Sequence, residues 1–175
     1  MVPGEVIQER LRLLAEYVED LKAEQGISFD QYRGDKKTRR YVEHTLQIAI
    51  ECCLDIGHHI IAAQRLPLPK EQREIFQVLS DAGILSNELL PTLQKMVGFR
   101  NRLVHEYERV EDDFVYGVLE KNIGDLVLFG QAIRKYLETM TSTRQGHTSS
   151  DSAGRKTLQE RQGVYAARRK RKIAR

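Results

Sequence analysis

Apolar residues at Ile7, Leu11, Leu14, Val18 and Leu21 recur by threes and fours along an otherwise charged segment. This is one stripe of an amphipathic helix, and it predicts a helix ending near Gly26. From Ser28 to Thr38 the chain is polar, with Gly34, Asp35, Lys36 and Lys37, and reads as a connection. A second helix follows with one stripe at Val42, Leu46, Ala49, Cys53, Ile56 and Ile60 and a neighbouring one at Ile50, Leu54, Gly57 and Ile61. So wide an apolar face predicts a central helix packed on more than one side. Leu66-Pro67-Leu68-Pro69 ends it, because proline lacks the backbone donor and disfavours helix in the residue before it. A short helix through Ile75, Phe76 and Leu79 is predicted to reach Gly83. Ser86 is a candidate cap for the next helix, with Pro91 close enough to delay or kink its first turn. That helix carries Leu89, Leu93, Met96, Leu103 and Val104 at helical spacing. A last one carries Val115, Val118, Leu119, Leu126, Val127, Ile133, Tyr136 and Leu137. No stretch alternates apolar and polar residues between turn signals, so the prediction is all-α, an antiparallel bundle of four to five helices over residues 1–140.

After Met140 the periodicity stops, and Thr, Ser, Gly, Arg and Lys dominate to Arg175. Such a composition cannot offset the entropy of ordering, and residues 141–175 read as a disordered basic tail. The formal net charge of +3 conceals this division. Residues 1–140 carry 18 Lys and Arg against 23 Asp and Glu, whereas the tail carries 10 against 2. The cluster Arg168-Arg169-Lys170-Arg171-Lys172 can contact phosphate, or can simply keep the tail solvated. The two cysteines, Cys52 and Cys53, are adjacent within a helical pattern, too few and too close for a disulfide framework. With no signal-like segment at the N-terminus and no run of about 20 apolar residues, the expectation is a reduced, cytoplasmic protein.

The candidate chemistry gathers in one stretch, Phe99-Arg100-Asn101-Arg102-Leu103-Val104-His105-Glu106-Tyr107. Arg100 falls on the apolar face of its helix, where a permanent cation is costly to bury without partners. At roughly 100° per residue, Arg100 and Tyr107 lie about 20° apart on the helix wheel and Arg100 and His105 about 140° apart. A single helix therefore does not stack the arginine on the histidine, whereas a second copy across a dimer interface can close the gap. Asn101 and His105, four residues apart, are neighbours on the helix, so the amide is placed to orient the imidazole. RNA cleavage needs a base for the ribose 2′-hydroxyl proton, an acid for the leaving oxygen, and positive charge on the pentacovalent phosphate. Histidine and arginine supply these without a metal, although the same two residues also serve many helices as a helix-end histidine and a salt-bridged arginine.

The run Arg100-Asn101-Arg102-Leu103-Val104-His105-Glu106-Tyr107 resembles the R-x4-H-x-Y signature of the HepT toxins in the HEPN superfamily. The similarity extends to Arg40-Tyr41-Val42-Glu43, Leu46-Gln47-Ile48-Ala49-Ile50-Glu51, Leu54 to Ala62, Gly83-Ile84-Leu85-Ser86 and Phe99, covering most of residues 28–137 in order. The resemblance implies a HEPN-type helical bundle and a metal-independent endoribonuclease toxin that needs no cofactor. It implies a homodimer whose two motifs line one cleft, with Arg100 and His105 as the catalytic pair and RNA, transfer or messenger, as substrate. It also implies an antitoxin of the MntA type, a minimal nucleotidyltransferase that transfers AMP to Tyr107. Each added phosphate and nucleoside would repel and block RNA. A non-catalytic HEPN module that only partners the nucleotidyltransferase is the alternative.

Other polar groups have plainer readings beside functional ones. Glu51, Asp55 and His59 recur every four residues along the second helix, a spacing that suits metal ligands but more simply a hydrogen-bonded network in which Asp55 orients His59. Arg102 is suited equally to phosphate and to an ion pair. Gly98 permits close approach of another backbone. The acidic run Glu106, Glu108, Glu111, Asp112 and Asp113 reads as a solvated loop and a helix N-terminus.

Overall fold

The structure, a computed structural model, describes residues 3–105 and 110–142. Every element in it is helical: α1 Pro3–Glu24, α2 Phe29–Gly34, α3 Lys36–Gln64, α4 Gln72–Asp81, α5 Leu90–His105, α6 Asp112–Lys121 and α7 at 123–142. The chain divides into two units, Met1–Arg134 and Lys135–Arg175, and the packed core belongs to the first. Tyr107 and the proposed tail, apart from 141–142, lie outside the described residues.

The central position of α3 follows from its two apolar stripes. Twelve of its residues are buried, from Val42 to Ile61, and it packs against α1, α2, α4, α5 and α6. By length and composition this helix could cross a bilayer, but here its apolar side chains pack inside the bundle. Its largest partner is α1. The Cys52 thiol donates to the Arg10 carbonyl at 3.1 Å and Arg10 meets Asp55, while Tyr41 interacts with Asp20, so the two helices run antiparallel. Asp35 caps α3 by accepting from the Lys37 N–H at 2.9 Å and the Thr38 hydroxyl at 2.8 Å. At the other end Arg65 takes the left-handed conformation, φ 54°, and the Leu66 N–H bonds back to the Ile61 carbonyl at 3.0 Å, which satisfies a terminal acceptor just before Pro67.

Two predicted boundaries differ in the structure. The polar connection contains α2, because Ser28 and Gln31 form a reciprocal capping box and Tyr32 is fully buried beside Tyr116. The single last helix is instead α6 and α7, broken at Asn122, whose side chain donates to Asp125 at 3.2 Å. These two features, with four long or medium helices and α4, raise the bundle from the expected four or five segments to seven among the described residues. The helix after Ser86 begins late, at Leu90, with Pro91 in its first turn, where its missing N–H costs little.

α3 and α4 meet at Gly57, where an added Cβ would collide with Ile75 Cγ2 and lie 3.5 Å from Leu79 Cδ1. Both partners are fully buried. Gly57→Ala should therefore destabilise by about 1–3 kcal/mol, read from urea unfolding, in spite of alanine's better helix propensity. A variant as stable as the parent would show that the crossing relaxes freely.

Cys52 and Cys53 are both free and buried. Burial pushes the Cys52 thiol up to about 11 and Cys53 well above its ordinary value. A thiol pKa raised by folding gives stability that is complete below the unfolded value near 9 and is lost as pH rises through about 11. At pH 8 both thiols should resist a disulfide reagent in the folded protein and react once it is unfolded. Rapid labelling of the native chain would contradict this burial.

Candidate active site

α5 carries its functional residues on two sides, as the wheel geometry requires. Leu93, Met96, Val97, Phe99 and Leu103 are buried and fix its rotation. Arg100 is thereby turned onto α3. Its Nε and Nη2 donate to one oxygen of Glu51 at 3.1 and 2.8 Å, and Gln47 donates to the same oxygen at 3.0 Å. The Arg100 side chain is 18% exposed and that of Glu51 35%, so the pair is partly withdrawn from water. Nη1 of Arg100 donates to the Asn101 side-chain oxygen at 3.1 Å. The Asn101 amide thus holds Arg100 where the sequence suggested that it would orient His105.

His105 lies on the other side, exposed at the C-terminal end of α5. It lines an open cleft of about 550 Å³ together with Asn101 and Arg102. Arg73 from α4, Lys95 and Gly98 from α5, and the rings of Phe99 and Phe114 complete the wall. None of the eight described lining residues is acidic, and three carry permanent positive charge. Arg102 makes no described ion pair. Its guanidinium carbon sits 4.8 Å from the centroid of the Phe114 ring, which meets Phe99 edge-on at 5.5 Å. Gly98 admits a guanidinium rather than a backbone: Arg73 Nη2 lies 2.8 Å from where its Cβ would be. Arg73, Lys95 and Phe114 escape a reading of the motif alone, because two of them come from other helices.

The periodic trio on α3 is pulled apart. Glu51 belongs to Arg100, and Asp55 lies 3.5 Å from Arg10 of α1 instead of orienting His59, which is half-buried. Among the described residues no group of three or more His, Cys, Asp or Glu comes together as a metal site. In the acidic run, Asp112 and Asp113 occupy the first turn of α6, and Asp112 pairs with Arg39 at 3.3 Å.

The arrangement puts a histidine among cations at the end of a helix whose arginine is anchored to the core, and the family match covers that helix and its surroundings. Residues 7–152 match the ribonuclease HepT-like family. The chain belongs to that family. A tRNA nuclease HepT of Aphanizomenon flos-aquae is 30% identical over 135 residues, spanning 77% of this chain and 92% of that protein. An mRNA nuclease HepT of Shewanella oneidensis is 33% identical over 104 residues, spanning 59% and 78%. Among solved structures, a tri-AMPylated HEPN toxin of Shewanella oneidensis in complex with MNT antitoxin superposes with a TM-score of 0.69 at 28% identity, covering 74% of this chain and 97% of that one. The fold is accordingly the HEPN helical bundle.

Proposed function

We propose that this HepT-like chain is a ribonuclease toxin that cleaves RNA without a metal ion at a cleft built around His105. The observation that carries this reading is the placement of the imidazole among Arg73, Lys95 and Arg102 with no described carboxylate in the wall, a setting that attracts a phosphodiester. In the reaction the ribose 2′-hydroxyl loses its proton to a base and its oxygen forms a bond to phosphorus. The bond from phosphorus to the 5′-oxygen breaks, and that oxygen takes a proton from an acid. The products are a 2′,3′-cyclic phosphate and a 5′-hydroxyl. His105 serves in this acid–base exchange. Arg100 stabilises charge on the phosphorane, aided by a second protomer that brings the two motifs to one cleft, and Asn101 holds the guanidinium in place.

The same reading makes the protein a cytoplasmic homodimer with an MntA-like nucleotidyltransferase as antitoxin. Residues 1–140 are the nuclease bundle, and the basic residues 141–175 add a salt-dependent attraction to RNA. Transfer of AMP to Tyr107 adds negative charge and bulk two residues along the chain from His105, which would repel and block RNA. One observation favours the alternative of a non-catalytic partner module: within a single chain the Arg100 guanidinium is already engaged by Glu51 and Asn101.

Incubation of the purified chain with total cellular RNA in excess chelator, with and without pretreatment by the nucleotidyltransferase and ATP, separates the readings. Cleavage that survives chelator and stops after pretreatment supports the toxin. A stable complex with the transferase and intact RNA in every arm supports the partner module.

A further inference from the structure

Beyond His105, the cleft contains a recognition surface that the R-x4-H-x-Y motif does not include. Arg73 reaches across from α4 and rests on Gly98, a position open only because that residue has no side chain. Lys95 lies on α5 one turn before Phe99, exposed and in the same wall. Phe114 is a large aromatic at the start of α6 that remains 42% exposed, although a folded chain ordinarily covers such a ring. The buried Phe99 packs against it at an interplanar angle of 68°, and the Arg102 guanidinium lies over the ring, 4.8 Å from its centroid, so its orientation is fixed by packing. Flexible cations beside a rigid, partly exposed ring are the two parts of a single-strand binding groove: charge that follows the backbone and a π-face on which a base stacks.

We infer that Arg73 and Lys95 bind backbone phosphates and that Phe114, with Arg102, stacks an unpaired base next to His105, so that the cleft selects single-stranded segments of RNA. The inference rests on the ribonuclease reading for the nature of its ligand, yet it concerns binding and is measurable without turnover. In a duplex the bases are stacked on one another and offer no free face to Phe114, so discrimination against paired RNA follows from the same geometry.

The test is fluorescence anisotropy of a labelled single-stranded 12-nucleotide RNA and of its duplex, at several salt concentrations, with full-length His105→Ala protein as the parent so that the probe is not cut. The parent should prefer the single strand. Adding Phe114→Ala should weaken single-strand binding by about 5- to 150-fold, the range for loss of one stacked base, and leave the salt slope unchanged. Because Phe114 also packs on Phe99, Phe114→Leu serves as the second variant, keeping apolar volume and removing the π-face, and it should weaken binding similarly. Arg73→Ala with Lys95→Ala should flatten the slope of log K against log salt by about 1.4, or about 0.7 for each phosphate left without its cation. Unchanged affinity in the Phe114 variants, an unchanged slope in the double variant, or equal affinity for duplex would overturn the inference. A parent that binds as expected while the wild type leaves RNA uncut would refute the nuclease reading and leave this one standing.

Discussion

Replacing His105 by alanine is expected to lower RNA cleavage by about 10²–10⁴-fold, the usual worth of a positioned general acid or base. The substitution should leave the fold intact. His105 is exposed at the last position of α5, and the buried residues that fix that helix, Leu93, Val97, Phe99 and Leu103, all precede it. Cleavage rate and thermal unfolding measured on the same preparation separate chemistry from stability. A His105→Ala protein that melts with the wild type and still cleaves at the wild-type rate would remove the imidazole from the mechanism. One that loses activity only in proportion to its unfolded fraction would make it structural.

The second large effect concerns Arg100 and Glu51. Glu51→Ala should destabilise the protein by about 1.5–3 kcal/mol, because the mostly covered guanidinium loses two charge-assisted hydrogen bonds. The amide of Glu51→Gln still accepts from Nε or Nη2, so its loss should be smaller. A double-mutant cycle with Arg100→Ala should show coupling of about 0.5–3 kcal/mol, since each residue is the other's partner. Activity adds an independent reading. With Glu51 a positioning residue for Arg100, Glu51→Gln should retain more cleavage than Glu51→Ala, whereas Arg100→Ala should lose cleavage whichever residue occupies position 51. Additive stability effects across the cycle would mean that the observed ion pair contributes nothing in solution, as many exposed pairs do not.

How much of this was legible in the sequence depends on the range of the interactions. The stripes on α1 and α3 predicted both helices and the central place of α3, because each stripe reports a local period. The Pro67 and Pro91 effects were legible for the same reason. α2 was missed although its signal is local: Ser28 and Gln31 stand at capping-box spacing, hidden in a segment whose charges read as a loop. The break at Asn122 was missed because the apolar spacing of Val118, Leu119, Leu126 and Val127 continues across it.

The candidate site divides in the same way. The helix wheel separated Arg100 from His105, and the structure places them on opposite duties, one against α3 and one in the cleft. That Arg100 needed a partner was legible from its place on an apolar face, but its identity was not, since Glu51 lies far back in the chain and sat in a tempting series with Asp55 and His59. Arg73 and Phe114 carried no signal in sequence. An exposed arginine on a short helix and a phenylalanine in an acidic segment gain meaning only when tertiary packing brings them to Gly98 and Phe99.

The chemistry of the cut ends tests the central claim most directly. A defined RNA incubated with the full-length protein in excess chelator should yield fragments ending in 2′,3′-cyclic phosphate and beginning with 5′-hydroxyl, and His105→Ala should yield none above background. Fragments ending in 3′-hydroxyl with 5′-phosphate, formed only when a divalent metal is restored, would contradict metal-free attack by the 2′-oxygen at this cleft.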